Sequence, residues 1–238
     1  MGKNHQVTLH SISLLAAERA DMLVDDGTGN LVFSPQVNSI ATYGYCNYEM
    51  AALWDHLINS SEDYCIMRQM IPVEADVQDY PLPQDFYKFR KVFPLISGKR
   101  GRNLKRFNLD KLGTADSLAA MHTSPIEDTQ YKITGNRLWL HPTPTNAATL
   151  ELWYVPQFDI VHNADDLIPL QFPFGWEEYV IEGVAARMLE REESDATAQR
   201  TRQKEILQRI MILAEDRDVG EPHQMQDTEG CLEYDSTS

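Results

Sequence analysis

The chain has 238 residues, of which 42% are hydrophobic and 24% are charged, and its formal net charge at pH 7 is −15. This length supports one large domain or a compact body with a smaller insertion, and no apolar run approaches the ~18 residues needed to span a bilayer. The acidic net charge also argues against a general nucleic-acid-binding protein, because such a protein needs a basic surface.

The first 60 residues predict two helices. Apolar side chains form one stripe over residues 9–24, and the turn-rich sequence Asp25–Asn30 ends this first helix. Ser34 and Pro35 predict the start of the second helix, because a serine hydroxyl caps free amides and proline loses no hydrogen bond at the first helical position. Apolar residues then recur at spacings of three and four as far as Ser60, which predicts one long helix.

Residues 61–156 predict a β-rich insert. The clearest signal is a hairpin in which Tyr131–Ile133 and Leu138–Leu140 flank a short turn at Gly135-Asn136. Further strands are predicted where hydrophobic and β-branched residues cluster between turn signals, at 66–72, 86–93 and 149–155. A short helix is also predicted at 115–121.

The C-terminal third predicts two more helices. An apolar residue every four positions defines a stripe from Trp176 to Leu189, and Ser194-Asp195 interrupts it. A fourth helix follows, with two adjacent apolar seams wide enough to contact two neighbours: Ile206, Ile210 and Leu213, then Leu207, Met211 and Ala214. The predicted fold class is α+β, a helical bundle of about four helices with a β-rich insert between the N-terminal and C-terminal helix pairs.

Two glycines lie inside the predicted helices. Glycine in a helix interior costs ~1 kcal/mol relative to alanine, and close approach of two helix backbones usually offsets that cost. Gly44 and Gly183 are therefore predicted to be helix-packing positions, together with Trp176, Val180 and Val184.

The positive charge is concentrated in one stretch. Residues 88–111 contain nine basic residues and one acid, a net charge of +8, which leaves −23 on the other 214 residues. Three partners fit this stretch: DNA, the acidic surface of another protein, or acids of the same chain. Phe89, Phe93 and Phe107 interleave with the charges, as in single-strand-binding surfaces, although phenylalanines on a strand are more often core. The favoured prediction is a protein interface made by Lys99, Arg100, Arg102, Lys105 and Arg106.

The chain ends in an acidic tail. Residues 218–238 contain six acids, no lysine or arginine and little apolar periodicity, so this segment is predicted to be disordered in isolation and to order on binding. Its sizeable apolar groups are the predicted anchors: Met225, Cys231, Leu232 and Tyr234. The predicted units are then the N-terminal helices at 1–60, the insert at 61–156, the C-terminal helices at 157–217 and the tail at 218–238.

No catalytic or metal-binding motif is present. Cys46, Cys65 and Cys231 lie far apart without a CxxC pair, which predicts reduced thiols in a cytoplasmic setting, and no histidine has a metal-binding spacing. His56 and His141 are predicted to be surface or boundary residues.

The carboxylates Glu177, Glu178 and Glu182 could form an acid–base cluster, but acids in a first helical turn are better explained by the helix dipole. The charge run from Arg187 to Glu193 predicts a solvated helix face, so we expect no enzyme, cofactor or metal.

Several strings resemble phage head-to-tail adaptor proteins, the connectors bound beneath the portal. The closing helices of that family resemble WEEYVIEGVAARMLEREESD at Trp176–Asp195 and RIMILAEDRDVGEP at Arg209–Pro222. Other similar segments are AERADM at 17–22, the helix around 51–60, YPLPQDFYKF at 80–89 and LELWYVP at 150–156. The similarity spans most of the chain and includes no catalytic signature.

The resemblance implies a structural protein of the virion neck. Such adaptors form a homo-oligomeric ring, typically of twelve copies, that joins the portal to the tail tube or nozzle and continues the DNA channel. It also implies assembly in the host cytoplasm. From the composition of the tail and its position after the last helix, we expect the tail to dock on the portal through its apolar anchors, and non-specific contact of the basic stretch with phage DNA stays open as an alternative. The alternative is an intracellular nucleic-acid-binding regulator that uses residues 88–111, with the acidic tail as an autoinhibitory mimic of nucleic acid.

Overall fold

The computed structural model describes residues 7–35, 37–60, 65–96, 98–108, 124–168 and 175–215. Over these ranges the protein is of mixed α+β class, with four α-helices and three β-sheets. None of the helices in the described ranges is long and apolar enough to cross a membrane. The helix predicted at 115–121 and the tail at 218–238 lie outside the described residues.

The first helix is shorter than predicted. Helix α1 spans Leu9–Arg19, and a capping box starts it, because the Thr8 hydroxyl accepts the Ser11 N–H while the Ser11 hydroxyl accepts the Thr8 N–H. The chain leaves the helix through Asp21, which has φ +57°. Strand β1, Leu23–Asp25, then pairs antiparallel with strand β2, Leu31–Phe33, so the end of the predicted 9–24 helix is a hairpin strand instead.

The predicted start of the second helix at Ser34 and Pro35 is wrong. Helix α2 spans Ser39–Ser60, and the Asn38 carboxamide oxygen accepts the N–H groups of Ile40 and Ala41 at 3.0 and 3.2 Å. The Ser34 N–H donates to Met22 O across the hairpin, and the Ser34 carbonyl accepts the Val37 N–H in a turn. The backbone of Ser34 is therefore hydrogen-bonded in the hairpin and the turn, so Ser34 does not cap the helix. The side chain of Asn38 caps it instead.

The described residues between Met67 and Pro156 form eight strands. Their bounds are β3 Met67–Val73, β4 Asp79–Pro81, β5 Phe86–Ile96, β6 Lys99–Arg100, β7 Lys105–Arg106, β8 Gln130–Thr134, β9 Arg137–His141 and β10 Ala148–Pro156. One sheet has the order β3-β10-β5-β6 and is antiparallel; the other has the order β4-β9-β8-β7, in which β7 and β8 run parallel. The predicted hairpin is confirmed, because β8 and β9 pair antiparallel on either side of Gly135-Asn136, with Gly135 at φ +58°.

The last two helices are confirmed within a few residues. Helix α3 spans Glu177–Arg191, and helix α4 spans Thr197–Glu215. The Asp195 carboxylate accepts both the N–H and the hydroxyl of Thr197, at 2.9 and 2.5 Å, so the residue that was predicted to break the pattern caps the fourth helix. The predicted seam on α4 needs one correction, because Ile206 and Ile210 are buried whereas Leu213 is 51% exposed.

Two hydrophobic cores organise the chain. The four helices pack around the first core, which includes Leu53, Trp54 and Ile210, and Val155 at the end of β10 joins it. The two four-stranded sheets enclose a second core that includes Leu138 and Leu152. Alternation places Leu150, Leu152 and Tyr154 of β10 in the second core and leaves Glu151 and Trp153 on the opposite face of the sheet.

Candidate partner-binding surfaces

A buried carboxylate joins three of the helices. Glu49 of α2 is 3% exposed. Its carboxylate accepts from Arg187 Nε of α3 at 2.5 Å and from Gln203 Nε2 of α4 at 2.7 Å, and Arg200 Nη1 lies 3.7 Å away. A buried charge is stable only when it is paired and hydrogen-bonded, so these contacts are a condition for packing the three helices together.

A second buried carboxylate, Glu182, lies on α3 and has no exposed surface. It pairs with Arg19 of α1 and, at 3.3 Å, with Arg202 of α4. The prediction that Glu182 only complements the helix dipole is therefore wrong. The face predicted to be solvated is exposed from Glu190 to Glu193, where Glu190 pairs with Arg200 at 2.9 Å. Arg187 differs from the prediction, because it pairs with the buried Glu49.

The two helical glycines have opposite surroundings. A Cβ built on Gly183 would overlap Gln203 Nε2 and would lie 2.5 Å from Glu49 Oε2, so α3 approaches the charged groups at this point. A Cβ built on Gly44 would meet no atom within 4 Å. The predicted close packing at Gly44 is not found within the described part of the chain. The other predicted packing residues, Trp176, Val180 and Val184, are 5%, 1% and 0% exposed.

Arg100 of the basic stretch is engaged within the chain. Its guanidinium donates to both carboxylate oxygens of Glu151, at 2.7 and 2.9 Å, and the Glu151 side chain is 4% exposed. The same guanidinium lies 5.0 Å from the centre of the Trp153 ring, an additional cation–π contact. The hydrogen bonds from Arg100 hold the pKa of Glu151 below its usual range. Arg100 therefore has a structural role within the chain, and its role as an interface residue stays a prediction.

Five other cations of this stretch are exposed in the described residues. Lys99, Arg102, Lys105 and Arg106 are exposed, as is Lys91, and none of the described carboxylates forms an ion pair with them. We call these five residues the basic surface. Exposed cations that are concentrated in one stretch of an acidic chain create a local positive field that favours an acidic partner.

The phenylalanines of the basic stretch pack within the protein. The Phe107 residue is 6% exposed, and its ring lies 4.6 Å from the ring of His141. The Phe89 ring lies 4.6 Å from that of Tyr131, and the Phe93 ring lies 6.1 Å from that of Trp153. These three rings therefore contribute to packing of the sheets, as phenylalanines on a strand usually do.

An apolar groove lies along the exposed side of α2. It encloses about 390 Å³ and is lined by Gly44, Asn47, Tyr48, Ala51, Trp54, Asp55, Tyr87, Gln157, Phe158 and Ile160. We call this the α2 groove. Tyr48 is 66% exposed, and Tyr87 and Ile160 are about half exposed, so large apolar groups face solvent at its rim. Exposed aromatic and aliphatic groups around a concavity are typical of a protein-binding site.

The remaining candidate residues do not form a chemical site. Within the described part of the chain, no group of three or more His, Cys, Asp and Glu residues could hold a metal ion. His141 is 8% exposed, so it is a core residue and not the boundary residue predicted, and its burial lowers its pKa. Cys46 is a free thiol, and burial raises its pKa to about 11. A thiol with that pKa is protonated at neutral pH and therefore a weak nucleophile.

The features that the sequence does not predict depend mostly on contacts between residues far apart in the chain. Glu49 gave no local signal, since a glutamate in a helix is ordinarily solvated. Gly44 was the one sequence signal at the α2 groove, and no described atom lies within 4 Å of a Cβ built on it. The predicted tail anchors Met225, Cys231, Leu232 and Tyr234 lie outside the described residues.

Comparison with known proteins supplies the family. The model of the SU10 adaptor protein family matches residues 49–226, which is most of the chain. The match covers strands β3 to β10, helices α3 and α4 and the part of α2 that carries Glu49. No curated protein matches the chain.

Proposed function

The chain belongs to the SU10 adaptor protein family, and from this membership we propose that it is a structural virion protein, a head-to-tail adaptor of a tailed phage. It assembles as a ring, of twelve copies in this proposal, that joins the portal to the tail tube or nozzle and continues the DNA channel. The family match over residues 49–226 is the observation that carries the proposal. The ring sits in the virion neck after assembly in the host cytoplasm.

The arrangement of the protomer supports this function. Helices α1 and α2 precede the strands of the insert and α3 and α4 follow them, and the helices and sheets have separate cores. We infer a four-helix bundle that carries the strands as an insert, with limits at 1–60, 61–156, 157–217 and 218–238. Such a protomer offers the α2 groove on the helices and the basic surface on the insert, and a ring protein needs contacts to its neighbours and to the structures at its two ends.

The basic surface is assigned to assembly with an acidic protein partner, either the tail protein or the neighbouring protomer. Changing Lys99, Arg102, Lys105 and Arg106 together to glutamate is expected to abolish joining of that partner, because each substitution replaces attraction by repulsion. Arg100 is kept, since its loss would leave the buried Glu151 without its guanidinium partner. Circular dichroism and thermal melting measure the fold, and negative-stain imaging of particles measures joining.

The matched control is Arg191→Glu, which reverses an exposed cation on α3. It should leave joining unchanged. Normal, infectious particles from the fourfold variant would remove the basic surface from the proposal. A sequence-independent gel shift that weakens with salt and disappears in the fourfold variant would instead favour the alternative function, a nucleic-acid-binding regulator using residues 88–111.

The acidic tail is assigned to portal binding. A segment of 21 residues reaches up to ~70 Å when extended, enough to lie along an adjacent subunit. Deleting Gln224–Ser238 removes the anchors Met225, Cys231, Leu232 and Tyr234 and is expected to weaken portal binding about tenfold or more, while the protomer melting temperature stays unchanged. Binding of the truncated chain to purified portal is the measurement. If the truncated chain binds portal as tightly as the full chain does, the tail serves only to keep the protein soluble.

A further inference from the structure

The α2 groove contains a glycine whose position nothing in the described protomer explains. Gly44 lies in the interior of the 22-residue helix α2, where glycine is less favourable than alanine because it loses more backbone entropy. Close packing offsets that loss at Gly183, but no atom lies within 4 Å of a Cβ built on Gly44. Gly44 lines the α2 groove, so the absence of a side chain there keeps the groove deep.

The rim of the groove is both apolar and acidic. Tyr48 is 66% exposed, Ile160 is 51% exposed, and Ile40, one turn of α2 before Gly44, is 79% exposed. Asp55 lines the groove, and the exposed Asp159 is adjacent to Ile160 in the chain. An occupant that matches these groups presents aliphatic side chains flanked by cations.

The end of helix α4 has that chemistry. Ile212 and Leu213 are adjacent, 61% and 51% exposed, and lie in the last turn of the helix. Lys204 lies two turns before Ile212 and Arg209 one turn before Leu213; both are exposed, and Arg209 also lies 3.9 Å from the exposed Glu178 carboxylate. An exposed pair of aliphatic residues beside cations is complementary to an apolar groove that is lined in part by Asp55.

We propose that the α2 groove of one copy receives Ile212 and Leu213 of a second copy. The inference rests on the proposed ring, and it names the contact that closes it. A closed ring requires a heterologous interface, in which two different surfaces of one chain meet, each on a different copy. The groove and the end of α4 are such a pair, and the volume of about 390 Å³ is within the ~300–1,000 Å³ range of pockets that enclose a bound group.

Two complementary variants test the contact. Gly44→Leu fills the groove, and Ile212→Asp with Leu213→Asp removes the inserted groups and adds repulsion toward Asp55. Each variant alone is expected to remain monomeric in sedimentation velocity, with and without portal particles, under conditions in which the wild-type chain forms rings. An equimolar mixture of the two should form a 1:1 dimer. The helix-end variant keeps an intact groove, and the Gly44→Leu variant keeps the intact end of α4 that fits into it.

Two controls test whether the variants still fold and whether the effect on assembly is specific to the proposed contact. Gly44→Leu should melt at or above the wild-type temperature, since its side chain enters open space on a helix; if it does not, Tyr48→Ala serves as the second groove variant. Leu15→Asp, which removes an apolar group that is 45% exposed on α1, is the matched control and should assemble normally.

The outcomes separate this contact from the ring itself. A wild-type chain that forms no ring, even on portal particles, contradicts the proposed function and this inference with it. Wild-type rings together with rings from both variants overturn the contact and leave the ring intact. If the groove variant stays monomeric while the helix-end variant assembles, the groove binds another element and the assignment of α4 is wrong.

Discussion

Replacing Gly183 by leucine is expected to lower the free energy of unfolding by about 3 kcal/mol or more. Overpacking of a filled interior alone costs ~1–3 kcal/mol. Here the new side chain also displaces the two groups that a Cβ would meet first, Gln203 Nε2 and Glu49 Oε2, which are hydrogen-bonded to each other at 2.7 Å. Separating them weakens the pairing of a buried carboxylate, which adds to the steric cost.

The matched control for Gly183→Leu is Gly44→Leu. Both changes place the same side chain on a helical glycine, but the space at Gly44 is open. Helix propensity alone then favours leucine at Gly44, so this protomer should unfold at the same denaturant concentration as wild type or at a higher one. Denaturant unfolding followed by circular dichroism gives both values. Equal stability of Gly183→Leu and wild type would show that α3 does not pack against the Glu49 network.

Replacing Arg187 by methionine is expected to cost about 3 kcal/mol of unfolding free energy, because removing one partner of a buried ion pair leaves the other charge in a poorly solvated site. The substitution keeps much of the aliphatic volume but removes the guanidinium that lies 2.5 Å from the Glu49 carboxylate. Glu49 is 3% exposed, so water cannot replace the lost partner, and Arg200 at 3.7 Å is too distant for a good hydrogen bond. Denaturant unfolding measures the loss.

A second substitution distinguishes charge from packing. Glu49→Gln in the Arg187→Met background leaves a neutral amide that can still bond to Gln203, and it should recover more than half of the lost stability. Arg191→Met on the same helix is the control, because Arg191 is exposed and forms no ion pair with a described residue; its effect should stay within ~0.5 kcal/mol. Failure of Glu49→Gln to rescue would assign the loss to packing of the Arg187 side chain.

The buried charged contacts matter for the proposed function because they fix the arrangement of the helices in the protomer. Glu49 and Glu182 together link all four helices by contacts with defined geometry, whereas apolar contacts alone allow helices to slide. The α2 groove lies along the same helix that carries Glu49. A change in the charged contacts is therefore expected to alter the groove as well as the stability.

The sequence by itself determined the local elements. The β8–β9 hairpin follows from a Gly-Asn turn between alternating residues, and α3 follows from an apolar residue every four positions. Both signals are contained in the few residues that form the element, because backbone dihedral preferences and side-chain periodicity are local properties. The family resemblance likewise rested on continuous strings, and the family match confirmed it.

Only the tertiary structure decided what these elements contact. Arg100 pairs with Glu151, and Arg187 pairs with Glu49, 138 positions away, so no local pattern distinguished these arginines from solvated ones. Gly44 and Gly183 gave the same local signal, yet one faces an open groove and the other a buried carboxylate. The physical reason is that a side chain's partners depend on which distant elements pack against it, and long-range packing of the two cores sets that arrangement.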